Sequence, residues 1–209
     1  MRVQRSLIGK LILGAFVLLL VAACLLWFVY RPWAMNWGAT DEEIDRAMVG
    51  DEIVAAPTFN ATRAVTVDAP PEEIWPWLVQ IGYLKAGFYS WDRLDNDGVP
   101  SAERIIAEYQ GLAVGDSIPL NEHVSAIVAE MNQDRSMVWI IEGGDVWTWA
   151  WGLYPVNPRE TRLVTRLRVR FDSVRTQVMA DLGEIIMMRK CMLGIKRRAE
   201  LSTSSSMSE

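Results

Sequence analysis

Few residues in this chain have the type and spacing for chemistry. His123 is the single histidine among 209 residues and sits beside Asn121 and Glu122 at the start of an expected strand. It reads either as a general acid/base or as a solvated loop side chain. No serine or cysteine partner follows from spacing. His123, Glu142, Tyr89 and Asp92 are therefore the acid/base candidates, and no nucleophile joins them. Asp92, Asp95 and Asp97 resemble part of an acidic metal loop, but no closing glutamate follows and Leu94 interrupts the oxygen donors. Gly143-Gly144 lacks the strand–GxGxxG–helix context of a nucleotide loop. Cys24 lies in an apolar run and Cys191 in a late helical stretch, so neither a disulfide framework nor a Cys/His zinc site is expected. No metal or cofactor is implied.

The densest constellation is aromatic. Trp147, Trp149 and Trp151 alternate and therefore project from one face of a strand. Arg162, Arg166, Arg168 and Arg170 alternate on the next one. A turn centred on Asn157–Pro158 would set Trp149 opposite Arg166 and Trp147 opposite Arg168, with indoles and guanidinium groups stacked. Leu163, Leu167, Val169 and Phe171 would then share the other face with Thr148 and Ala150. Three readings stay open: a solvated outer face, a cavity wall in which an arginine holds an anionic head, or a contact with lipid headgroups. A one-residue slip exchanges the faces.

These residues need elements to place them. Ala61–Val67 alternates as a strand. Asp68-Ala69-Pro70-Pro71-Glu72-Glu73 then suits a helix start, with proline and acids in the first turn. Ile74, Trp77, Leu78 and Ile81 make one apolar face of that helix, and Pro76 bends it or moves its start. Phe88–Leu94 and Ser101–Tyr109 read as short helices. Asp116–Leu120, Val124–Met131, Ser136–Ile141, Val146–Tyr154 and Thr161–Phe171 read as an antiparallel meander. A last helix runs from Asp172 or Ser173 to about Leu201, with Val178, Leu182, Ile185, Ile186, Met192 and Leu193 as its stripe. Thr40 and Glu43 form a capping box for a short helix at Asp41–Ala47.

Leu11–Tyr30 is apolar throughout except for Gly14 and carries no charge. Twenty such residues cover about 30 Å, a bilayer core. A buried helix and a cleavable signal peptide are the rivals. Val21-Ala22-Ala23-Cys24 resembles a lipoprotein cleavage box, but apolar residues follow it. Arg2, Arg5 and Lys10 precede the segment, which places the N-terminus in the cytoplasm and the remainder outside a single-pass cytoplasmic (inner) membrane anchor. The expected organisation is residues 1–10 cytoplasmic, 11–30 spanning, 31–60 lead-in, 61–201 folded domain and 202–209 a disordered tail. The net charge of −5 also divides. Residues 31–110 carry 6 basic and 14 acidic groups, and residues 111–209 carry 12 of each. That balance excludes a phosphate-backbone footprint and hence nucleic acid.

The junction Thr62-Arg63-Ala64-Val65-Thr66-Val67-Asp68-Ala69-Pro70-Pro71-Glu72-Glu73-Ile74-Trp75 resembles the START-like (SRPBCC) superfamily. That superfamily includes lipid-transfer domains and polyketide cyclases/dehydrases. The likeness continues through Trp77–Gly82, Gly87-Phe88-Tyr89-Ser90, Gly115-Asp116, Thr161-Arg162-Leu163 and Gly194–Arg198. The resemblance implies an α+β helix-grip fold, a curved antiparallel sheet wrapped around a long C-terminal helix and enclosing an apolar cavity. It implies no single activity.

On this basis the chain is expected to bind a hydrophobic or lipid-like small molecule without catalysis. The residues expected at the ligand are Trp77, Tyr83, Phe88, Tyr89, Trp139, Trp149, Arg166, Met179, Leu182 and Ile186. The alternatives are a cyclase/dehydratase-like enzyme using acid/base residues in the same cavity, and a protein-interaction module at the membrane.

Overall fold

The computed structural model describes residues 2–143, 145–171 and 173–206. The chain divides into two compact units, Met1–Met35 and Asn36–Glu209. The first is helical. Helix α1 (Arg2–Leu25) passes through a π-helical turn at Leu26–Tyr30 into α2 (Arg31–Met35). Residues Gly9–Met35 form one helix long and apolar enough to cross a membrane, a test that a signal sequence also passes. Every side chain from Gly9 to Tyr30 is exposed. Near its end Arg31 stacks over the Trp27 ring at 4.9 Å, and Tyr30 packs on Trp33 with ring centroids 5.5 Å apart.

The second unit begins with α3 (Asp41–Asp45), whose capping box forms as expected. Thr40 N–H donates to Glu43 Oε2 and Glu43 N–H donates to Thr40 Oγ1. Strand β1 (Phe59–Val67) leads into α4 (Pro71–Val79), which starts on Pro71 with Glu72 and Glu73 in its first turn and keeps Pro76 inside. A short α5 (Asp92–Asp95) follows. The meander is β2 (Ser117–Pro119), β3 (Ser125–Asn132), β4 (Ser136–Gly143), β5 (Asp145–Asn157) and β6 (Glu160–Val169). Helix α6 (Val174–Ser206) closes the fold and continues beyond Leu201. The six antiparallel strands lie in the order β1-β6-β5-β4-β3-β2, so the first strand joins the last by its edge. This is the helix-grip α+β arrangement.

Helices α4 and α6 cover the inner face of the sheet. Their Ile74, Trp77, Leu78, Met188, Met192 and Ile195 pack with Trp139, Trp151, Leu153 and Leu163 into the main core. Gly194 permits the close approach. A Cβ there would stand 2.3 Å from the Tyr89 carbonyl oxygen. The outer face carries a smaller cluster of Ala64, Val138, Ala150 and Val164, closed by Met48.

The segment between α4 and β2 departs from expectation. Phe88–Leu94 and Ser101–Tyr109 are not helices; only Asp92–Asp95 and one 3-10 turn at Ala107–Tyr109 are helical. Gly87 and Tyr89 adopt left-handed backbone, with φ of +73° and +58°. Side chains also take the backbone donors there. Tyr89 N–H donates to Ser101 Oγ, Leu84 N–H to Asn96 Oδ1 and Ile106 N–H to the buried Gln80 Oε1. Such local bonds compete with a helix.

Candidate functional site

The β5–β6 hairpin decides what the site contains. Trp149 pairs with Leu167, Trp147 with Val169 and Trp151 with Thr165. The arginines pair with Thr148 and Ala150 instead. A shift between Pro155 and Asn157 moves the register by one residue from a turn centred on Asn157–Pro158. The tryptophans therefore face inward with Leu163 and Leu167, while Arg162, Arg166 and Arg168 face outward. The expected Trp/Arg stack does not form.

Indoles fill much of the inner face. Trp139 is fully buried, its ring edge-on to Trp149 at 5.0 Å and to Trp151 at 6.1 Å. Trp149 Nε1 donates to Thr165 Oγ1 at 2.9 Å, and that hydroxyl donates on to Ala150 O. Between these rings and α6 lies a cavity of about 400 Å³. The sheet contributes Ile141, Trp147, Trp149 and Leu167, and the β2–β3 connection contributes Leu120, Asn121 and Val124. The segment before α5 adds Phe88 and Ser90, and α5 adds Asp95. Glu184, Met187, Met188 and Cys191 line it from α6. Two bonds fasten this rim to the helix. Ser90 Oγ donates to Met187 O and Trp91 Nε1 to Ile186 O, both at 3.1 Å.

The wall is apolar apart from a few groups. Glu184 Oε2 meets Arg63 Nη1 at 2.9 Å, with Arg63 only 2% exposed on β1. Burial pushes the Glu184 pKa up against the pull of Arg63, and the Asp181 charge adds to the rise. Burial likewise raises Asp95, and neither of its carboxylate oxygens has a hydrogen-bond partner among the described residues. Burial also pushes the Cys191 thiol well up, with Asp95 and Glu184 adding to it, so Cys191 is no thiolate nucleophile. Among the described residues, no three His, Cys, Asp or Glu side chains converge on a metal.

Of the residues expected at the ligand, Phe88 and Trp149 line the cavity. Trp77, Trp139 and Tyr89 lie in the surrounding core. Tyr89 Oη donates to Trp77 O and accepts from Gln80 Nε2, and burial pushes its pKa well up. Tyr83 is partly exposed and its hydroxyl donates to Asp97, which raises its pKa to about 12. Ile186 is 51% exposed because it sits on the far side of α6. The side chains of Met179, Leu182 and Glu142 lie outside the described residues. His123 is solvated beside Glu122, and Asp92 accepts from Ser101 Oγ outside the cavity wall.

Arg166, expected at the ligand, does not line the cavity. It is 3% exposed on the outer face, under the segment that carries α3. Its guanidinium donates to Thr62 Oγ1, Glu43 O, Ile44 O, Arg46 O and Asp51 Oδ2 at 2.7–2.9 Å. Arg162 grips both carboxylate oxygens of Glu43, and Arg168 reaches Asp51 at 3.1 Å. Burial raises the Glu43 pKa, but Arg162 and the Thr40 backbone outweigh it and the net pKa is lowered.

The stripe expected on α6 is partly out of phase, with Met192 buried as expected and Ile186 and Leu193 turned outward. The buried stripe is Met188, Cys191, Met192, Ile195 and Ala199, whereas Leu193 is 40% exposed. The spacing 188-191-192-195-199 was legible, and Glu184 extends it by one turn.

No family model matches the sequence, and no curated protein matches it. Solved structures do match. One is a START superfamily protein from Mycobacterium smegmatis, at 13% identity over 68% of this chain and 97% of that one, with a TM-score of 0.41. Another is the Aha1 dimer from Colwellia psychrerythraea, at 14% over 68% and 97%, TM-score 0.47. A third comes from Nitrosomonas europaea, at 10% over 69% and 96%, TM-score 0.46.

Proposed function

We propose that this protein is a single-pass membrane-anchored carrier or receptor that binds a hydrophobic, lipid-like small molecule without transforming it. The observation that supports this reading is the cavity under α6. Its volume of about 400 Å³ falls within the 300–1,000 Å³ typical of small-molecule sites, and its wall is mostly aromatic, aliphatic and thioether. Apolar burial drives binding, and Met187 and Met188 re-pack around ligands of different shape. The apolar helix of residues 9–35 holds the chain in the cytoplasmic membrane, with Arg2, Arg5 and Lys10 on the cytoplasmic side and the folded unit outside.

A second reading, an acid/base enzyme of cyclase or dehydratase type, is favoured by one observation. Asp95 and Glu184 are carboxyl groups with raised pKa values in an apolar cavity. In that case these two, rather than His123, Tyr89 or Asp92, would move the proton.

The test is extraction of the full-length protein in mild neutral detergent, followed by mass spectrometry of what co-purifies. Equilibrium dialysis of N-phenyl-1-naphthylamine against protein-loaded phosphatidylcholine nanodiscs complements it, with empty discs subtracting lipid partition. A stoichiometric apolar ligand, or excess probe retention that falls in Trp149→Ala, is expected. Neither ligand nor retention would overturn the binding reading. Recovery of a chemically altered ligand after incubation would favour the enzyme.

A further inference from the structure

The polar groups of the cavity wall are not equivalent. Glu184 already has its counter-charge, since Arg63 stands 2.9 Å away. Ser90 gives its proton to the Met187 carbonyl. Asp95 alone has buried carboxylate oxygens without a hydrogen-bond partner among the described residues. The charge acting on it is that of Asp92, of like sign, and burial outweighs the Ser90 hydroxyl and the Trp91 and Asp95 N–H groups, which favour its ionised form. A carboxylate shielded from water and without a well-formed hydrogen bond is costly, and native proteins rarely leave one without a reason. Here the reason lies beside it, because Asp95 stands in the wall of the ligand cavity.

Resting on the binding reading above, we infer that the cavity selects ligands with an apolar body and a hydrogen-bond-donating, cationic amine head, which Asp95 receives. The head supplies the donors that Asp95 lacks, and its charge is the complement of the wall. Anionic amphiphiles such as carboxylic acids are excluded, because they would set a second negative charge against Asp95 in a low-dielectric site. Arg162, Arg166 and Arg168 face the other side of the sheet, and Arg63, on the inner side, is already taken by Glu184.

The experiment uses three isosteric probes, 1-naphthylmethylamine, 1-naphthalenemethanol and 1-naphthoic acid. Each is dialysed against full-length protein in phosphatidylcholine nanodiscs, with empty discs as baseline. The amine is expected to be retained at least about tenfold more tightly than the acid, with the alcohol between. In Asp95→Asn that ratio should collapse to about twofold while the alcohol still binds. The wild-type series decides the matter even if the variant folds poorly. An acid retained as tightly as the amine, or an undiminished ratio in Asp95→Asn, overturns the inference and leaves cavity binding standing. Retention of none of the three probes, nor of N-phenyl-1-naphthylamine, overturns both.

Discussion

The two faces of the β5–β6 hairpin use polar groups in opposite ways. On the outer face Arg162, Arg166 and Arg168 are all engaged. Arg166 reaches five oxygens, Arg162 holds Glu43, and Arg168 shares Asp51 with Arg166. The segment from Trp37 to Val54 wraps this face, and its carbonyls are the acceptors. On the inner face lies the cavity, and Asp95 stands at its wall with no hydrogen-bond partner for its carboxylate among the described residues. A fully satisfied buried network specifies structure, whereas an unsatisfied group beside a cavity calls for an explanation, which the inferred ligand head would supply. The same alternating strands thus separate the buried arginine network from the cavity wall, one residue apart.

The outer face should break hardest. Arg166→Met leaves Asp51 and three carbonyls without their shared donor, so a loss of about 3–5 kcal/mol in urea unfolding is expected. At a temperature where the variant is folded, its probe binding should match the wild type. A neutral effect on stability would show that the outer network is not structural. Next, Gly194→Ala forces a Cβ against the Tyr89 carbonyl, and overpacking of this kind costs about 1–3 kcal/mol. If the melting temperature rises instead, as helix propensity alone would have it, the fit of α6 against the rim at Tyr89 is looser than described.

The acids of the two faces should titrate with opposite sign. The lowered pKa of Glu43 contributes stability that is present above its unfolded value of 4.5 and lost as the pH falls through the lowered folded value. The raised pKa of Asp95 works the other way. Its ionised form destabilises the fold above the raised folded value, and the penalty is relieved as the pH falls toward the unfolded value of 3.8. Asp95→Asn should therefore stabilise the unliganded protein at pH 7 by about 1 kcal/mol, a gain that shrinks on acidification. Glu43→Gln should destabilise it at pH 7 and flatten the acid limb. Denaturation midpoints from pH 3 to 8 check both, and slopes of the same sign would erase the contrast between the faces. The smallest effect expected is at Trp147. Trp147→Phe keeps an aromatic ring near Phe171 but shortens the wall, so N-phenyl-1-naphthylamine affinity should fall about threefold with stability little changed.

Much of the architecture was readable without coordinates. Alternation placed β1 and the five meander strands, Thr40 and Glu43 announced α3, and Pro71 with two glutamates opened α4. These are local patterns, and local patterns carry their own period and caps. The site was less legible. Phe88 and Trp149, expected at a ligand, do line the cavity, whereas Arg166 is buried on the outer face and Ile186 is exposed. Asp95 and Glu184 do not stand out in a chain with 26 acidic residues.

Composition and period by themselves determined that one apolar helix precedes a folded α+β unit, and that three tryptophans share a face. They did not determine which face. A single extra residue in the β5 strand near Val156 turns the indoles inward and the guanidinium groups outward. Side chains alternate with a period of two, so one unit of register exchanges the wall of a cavity for its outer support. That register, with the turn of α6 that brings Met188 and Cys191 to the wall, is set by how the whole sheet and helix pack. Only the tertiary structure decides it.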